Sequence, residues 1–480
     1  MPTNGLPPLA LGRILRTVAW IIPLLLLNKG GNAGGGAFFA ILAIMAVTSP
    51  QGAFKSLAIC FLGLMMNLAY VPKELVWTWA RLILPALALL RFLIDLSRTS
   101  ASFATQPKYV ALLVYCLVMA VCSVISGWYT PIALLKLFNF LLVVSSVFAG
   151  VTVLRARRID MTEFFVSLIA AATLLGLASI PLGYSDLFYR GGLRYRDVFV
   201  GAFMHPNCHT LYGSLFTGYL ATIATITGYR NRWVSLPLIG CWIFFMLSSQ
   251  ARASILASSI AFLVLMFYAR PLRNLLGERL RVNISRTSMI AIFAIAIAAL
   301  AAWNVATQGT VSRAIVAFIN KTEDELETLD ADRIVGSRAA LIAFSWQNFQ
   351  ENPLFGIGFQ VAKTQAFVQQ ATLFTAPAEK GFLPTAVLEE GGVMGAIAFV
   401  LFLTLFLREL MRQRNVPGMV GFMTFLATNF GEVSIFSPGG PGAFGWVMVG
   451  ASMILGDYCW VRPPAALYRF NPFGRPAQAA

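Results

Sequence analysis

Long apolar runs, each roughly 15 to 25 residues, recur from one end of this chain to the other, and a backbone crossing lipid has few ways to fold. Hydrocarbon offers no partner for an open N–H or C=O, so each crossing segment is either a helix or a strand of a closed barrel. The runs are rich in Leu and Ala and lack the short alternation of barrel strands, so helices are expected. Composition agrees: 58% of the 480 residues are hydrophobic and only 12% are charged, against about 25% charged in soluble domains. The expected fold class is therefore all-α, a polytopic integral membrane protein.

The runs lie near Ile14–Leu27, Gly35–Thr48, Leu57–Val71, Val76–Ile94, Tyr109–Gly127, Ile132–Val153, Phe164–Leu182 and Asn207–Thr227. Others follow near Val234–Ser248, Ala253–Ala269, Ser288–Val305, Pro384–Leu407, Met419–Phe436 and Gly442–Leu455. The shorter ones bring the expectation to about 12–14 transmembrane helices. The first lacks a small-residue cleavage site and reads as a retained helix. Four regions result: N-terminal helices (1–160), central helices with an Arg-rich loop at 183–206 (161–307), an extramembrane segment (308–381), and C-terminal helices with a tail (382–480).

Charge sets the orientation. The net charge of +16 does not point to nucleic acid, because most Lys and Arg occupy short loops between apolar runs. "RARR" (155–158), "YRNR" (229–232), "RPLRNLLGERLRVNISR" (270–286) and "RELMRQR" (408–414) all follow even-numbered runs. They assign one side to the cytoplasm, and both termini with it. The opposite, outer side then holds loop 183–206, "SSQARAS" (248–254) and the long segment from about Gln308 to Gly381, the one sizeable extramembrane region. Within that segment Val311, Ile315, Phe318 and Ile319 form one stripe, and Val335, Ala339, Ile342, Trp346 and Phe349 another, each the mark of an amphipathic helix. Asn352-Pro353 is expected to end the second.

Six cysteines (Cys60, Cys116, Cys122, Cys208, Cys241, Cys459) lie in or at the ends of apolar runs without paired or metal-ligand spacing, and read as small buried residues. No zinc motif, phosphate-cradling glycine loop or nucleotide signature occurs, so no metal or cofactor is expected. The chemistry-bearing residues are basic and sit on the outer side: Arg190, Arg194 and Arg196, which violate the orientation rule; Arg252, at the start of an outside-to-inside run; and Arg338, about 40° from Ile342 on the helical wheel. A guanidinium offers phosphate two parallel charge-assisted hydrogen bonds and stays ionised when desolvated. Helix N-termini starting near Asn207, Ala253 and Pro384 add positive dipole ends on that side. A bland reading stands beside each: Arg252 snorkelling to headgroups, the loop arginines pairing with Asp186 and Asp197, Asn207 acting as an N-cap, and His205 and His209 as structural residues.

Read in order, "FMHPNCHTLYGSL", "LSSQARASILASSIAFLVL", "GSRAALIAFSWQNFQENPLFGIGF" and "LPTAVLEEGGVMGAIAFVLFL" resemble the O-antigen ligase/polymerase superfamily of envelope glycosyltransferases, over roughly residues 195–410. The resemblance implies a polyprenyl-pyrophosphate-linked glycan donor on the periplasmic face, and transfer to a growing glycan (polymerases) or to lipid A-core (ligases), with neither nucleotide sugar nor metal. Arg252 and Arg338 match arginines that hold the donor pyrophosphate, and the substrate contacts expected beside them are Arg190, Arg194, Arg196, His205, Asn207 and Lys380. Glu390 matches a family glutamate. It stands with Glu379, Glu389 and His205 as a candidate proton acceptor, and with helix capping as the alternative.

One departure from the family pattern matters. The histidine that ligases carry before this span is replaced by Gly381 in "AEKGFLP", which favours a polymerase. A flippase and a chain-length regulator are the expected partner proteins. A transporter of lipid-linked glycan or small anions is the rival reading; few ionisable residues inside the runs, Arg81 and Arg91 excepted, tell against it.

Overall fold

The structure, a computed structural model, describes residues 9–27, 31–66, 76–98, 106–182, 194–195, 198–199, 203, 206–226, 232–249, 259, 337–363, 380–431, 433–437 and 440–456. Among them the chain is almost entirely helical. The first seven helices are α1 (Leu11–Leu26), α2 (Gly31–Thr48), α3 (Pro50–Gly63), α4 (Val76–Ser97), α5 (Pro107–Ser126), α6 (Thr130–Ala156) and α7 (Thr162–Leu182). There follow α8 (Pro206–Ile226), α9 (Arg232–Ser248), α10 (Ser337–Glu351), α11 (Leu383–Arg412), α12 (Val416–Thr428) and α13 (Pro441–Gly456). The strand pairing described is one short antiparallel ladder, β1 (Arg194–Tyr195) with β2 (Val198–Phe199). Among the described residues, five helices (α2, α5, α6, α11 and Thr162–Ile180 of α7) are long and apolar enough to cross a membrane.

Local chemistry explains where the helices begin. Proline occupies the first or second position of α3, α5, α6, α11 and α12, where its missing N–H is not needed. Ser49 caps α3 by accepting from Gly52 N at 2.9 Å, so α3 starts at Pro50 rather than at Leu57 as the apolar run suggests. Asn415 caps α12 the same way at 2.8 Å and donates to Met453 O at 2.7 Å, tying α12 to α13. The run expected to continue to Phe436 stops at Thr428. Asn429 donates to Phe425 O at 2.6 Å, while its Oδ1 accepts from the N–H groups of Ser434 and Ile435, both at 2.6 Å. One amide thus ends the helix and folds the following residues back, an effect no hydropathy pattern reports.

The bundle closes around aromatic rings. Trp446 of α13 is buried among Phe140 and Phe148 of α6, Phe402 and Phe406 of α11, and Phe422 and Phe425 of α12. Its indole donates to Ile435 O at 3.0 Å, so burial leaves no polar group stranded. Large apolar side chains also face outward: Leu117 is 67% exposed, Ile397 61% and Val400 60%. On a water-soluble surface such patches would drive association; on a membrane helix they meet lipid.

The two ends of the bundle differ. One end gathers the starts of α1, α5 and α7 with the ends of α4, α6 and α11, and is basic: Arg13 pairs with Glu163 at 3.2 Å, Arg157 and Arg91 with Asp95, and Arg155 donates to Gln413 at 2.6 Å. The opposite end holds the α5–α6 turn, α10 and the beginning of α11.

Candidate active site

At that opposite end α11 is broken. Gly392 takes φ 59°, ψ −158° inside an otherwise helical run. The break withdraws two carbonyls and two N–H groups from the helix ladder, and each open group in an apolar setting costs on the order of 1–3 kcal/mol. Residues 353–358, just after α10, supply the partners. Ile357 N donates to Glu389 O at 2.8 Å and Gly358 N to Glu390 O at 2.9 Å; Val393 N donates to Pro353 O at 2.9 Å and Met394 N to Leu354 O at 3.2 Å. Such contact demands glycine on both sides. A Cβ on Gly392 would sit 2.4 Å from the Leu354 backbone, and one on Gly356 (φ 64°) 2.5 Å from Glu389 O.

Two carboxylates sit at the break, adjacent in sequence and unlike in surroundings. Glu389 is saturated: it accepts from Ser345 Oγ at 2.6 Å and Asn348 Nδ2 at 2.7 Å, both on α10, and is ion-paired to Lys380 Nζ at 2.6 Å. Lys380 also donates to Val361 O at 2.9 Å. Glu390, equally buried, accepts from Gln360 Nε2 at 3.2 Å through Oε1, and its Oε2 has no hydrogen-bond partner among the described residues. Lys136 of α6 donates to the Gln360 carbonyl at 2.8 Å. Ser126 Oγ donates to Ile357 O at 3.1 Å, and Ser123 Oγ accepts from Phe359 N at 3.1 Å. Segment 353–363 is therefore held by α5, α6, α10 and α11 together.

Helix α10 ends at Glu351 ahead of Pro353, as the sequence suggests, and its apolar stripe is partly open to the surroundings. Trp346 is 45% exposed, Ala339 is exposed, and the buried positions are Ser345 and Asn348, at 2% each. Polar side chains buried against another helix need partners there, and Ser345 and Asn348 find theirs in Glu389.

The sequence-predicted residues fall as follows. Glu390 and Lys380 come together at the α11 break, Lys380 as the partner of Glu389. Arg338 is the second residue of α10. Asn207 is the second residue of α8, since Pro206 takes the first position. Arg194 lies in β1, with Phe199 as its ladder partner. Arg190, Arg196, Arg252, His205, Glu379 and the stripe 311–319 lie outside the described residues. His209 is buried against the rings of Phe203, Trp242 and Phe245, in keeping with a structural role. Gly381, the position of the missing histidine, is buried beside Lys380.

Sequence reasoning did not single out Lys136 or Gln360. A signal existed for the first: "PIALLKLFNF" places one lysine in an apolar helix, and an ionisable residue in a membrane span marks a functional site by default. Nothing in one dimension distinguishes Gln360.

Residues 237–400 match the family model described as O-antigen ligase. The matched stretch starts inside α9 and takes in α10, the segment 353–363 and the broken part of α11. A comparison with curated proteins finds no match.

Proposed function

Because residues 237–400 place this chain in the O-antigen ligase/polymerase superfamily, we propose that it is a membrane glycosyltransferase that lengthens a surface polysaccharide on the periplasmic face of the inner membrane. Its donor is a glycan on polyprenyl pyrophosphate, used without nucleotide sugar or metal. The observation that carries the reading is the coincidence of that match with the α11 break, where a buried carboxylate keeps an oxygen without a partner among the described residues.

The chemistry follows from these groups. Displacing pyrophosphate from an anomeric carbon passes through an oxocarbenium-like state while negative charge grows on the departing phosphate. Arg252, Arg338 and the arginines of loop 183–206 grip that phosphate and stabilise the charge as it develops. The acceptor hydroxyl forms the new C–O bond as the bond from the anomeric carbon to pyrophosphate breaks, and Glu390 Oε2 takes its proton. Glu389 is the poorer base, because Ser345, Asn348 and Lys380 occupy its oxygens. Gly381 in place of a histidine favours a growing glycan over lipid A-core as acceptor.

The α11 break also bears on the transporter reading. Broken helices in transporters keep their open backbone groups for the cargo; here residues 353–358 take all four. The test is direct. Purified protein in detergent, given lipid-linked oligosaccharide and no nucleotide sugar, should produce a ladder of longer lipid-linked glycans. Arg252→Ala, Arg338→Ala and Glu390→Gln should each reduce the ladder about a hundredfold or more. Normally expressed variants that still build full-length product would overturn the proposal, and transfer to lipid A-core alone would make it a ligase.

A further inference from the structure

Gln360 is a residue out of place by backbone standards. It sits at φ 52°, in the left-handed region that glycine and asparagine adopt readily and longer side chains avoid. It is 7% exposed, so its carboxamide is removed from water and needs partners. Its carbonyl accepts from Lys136 at 2.8 Å, and its Nε2 donates to Glu390 Oε1 at 3.2 Å. The carbonyl contact would survive in any residue, as would the backbone N–H that Gln360 turns to Glu390; the bond from Nε2 to Oε1 needs a glutamine side chain. Strained residues held by their surroundings cluster at functional sites, and here the strained residue touches one group of possible chemical use.

We propose that Gln360 is a positioning residue for Glu390: its carboxamide binds Oε1, fixes the rotation of the carboxylate, and thereby leaves Oε2 as the oxygen that receives the acceptor proton. This rests on the glycosyl-transfer reading above. The charged groups near Glu390 come from every side, Lys136 on α6, Lys380 before α11 and Glu389 on α11 itself. A carboxylate free to rotate among them would turn toward a lysine. Gln360 occupies one oxygen with a neutral donor and so keeps the carboxylate from spending its second oxygen on an ion pair.

Two variants separate positioning from mere packing. Gln360→Gly keeps the carbonyl for Lys136 and relieves the left-handed strain, so its unfolding temperature should equal or exceed that of Gln360→Met, which keeps the length and the strain but has no donor. Both lose the carboxamide, and both should lower kcat roughly tenfold to a hundredfold with little change in KM for the lipid-linked donor. Activity that followed unfolding temperature, or a Gln360→Gly protein with wild-type kcat, would overturn the inference. A wild-type protein that transfers no glycan in the same assay would instead remove the reading beneath it, and the inference with it.

Discussion

Charged side chains meet at both ends of the bundle, but on different terms. At the α11 break Lys380 and Glu389 are each 1% exposed, and Glu389 is further bonded to two polar side chains of α10. At the basic end Asp95 is fully buried, yet its partners Arg91 and Arg157 keep 22% and 35% of their side chains accessible, and Arg412, paired with Glu409, keeps 71%. A long cation near the membrane surface that loses its partner can turn to water or headgroups. A cation sealed within helices cannot. The basic end can therefore lose a partner at small cost, whereas the α11 break is all or nothing.

The largest effect should come from the backbone on which that lock is built. Gly392→Ala sets a Cβ against the Leu354 backbone at a positive φ, so we expect no folded protein, or a loss of more than about 4 kcal/mol; size-exclusion profile and thermal unfolding in detergent would show it. Next, Glu389→Ala leaves Lys380 buried and unpaired, which should cost about 3–5 kcal/mol. The double variant Glu389→Leu with Lys380→Met should recover much of that stability. Equal losses in the single and double variants would mean that packing, not charge, holds the site. Asp95→Ala at the basic end should cost only about 1 kcal/mol, because both arginines can reach water. A loss matching that of Glu389→Ala would erase the contrast between the ends.

The smallest effect belongs to the exposed pair of Glu351 and Lys363, 2.7 Å apart. The hydrogen bond from Lys363 and its charge hold the Glu351 carboxyl below its usual 4.5. A carboxyl depressed in the folded state contributes stability above its ordinary value and loses it as pH falls through the folded one. Glu351→Gln should therefore lower the unfolding temperature slightly at neutral pH and not at all in strong acid, with the difference shrinking in high salt.

How much of this could be read from the chain itself depends on the physics of each part. The spans were legible because lipid imposes one rule everywhere; α5, α6, α7 and α11 lie where the apolar runs predict. The end of α12 was not, because it hangs on the side-chain bonds of Asn429. Glu390 and Lys380 could be proposed from a motif, but not their separation into two roles. The apolar stripe of α10 was visible, but not that Ser345 and Asn348 are the positions the helix buries, because that depends on where Glu389 lies.

The amino-acid order by itself determined that this chain is helical and membrane-embedded, and that one end of its bundle is basic. Those properties sum over many residues, and no single contact can undo them. Only the tertiary structure decided that Glu389 is bound on every side while Glu390 keeps an oxygen without a described partner. Lys136, Ser345, Gln360 and Lys380 are far from one another along the chain. Their convergence depends on helices packing in three dimensions, and it is this packing that gives two neighbouring carboxylates different chemistry.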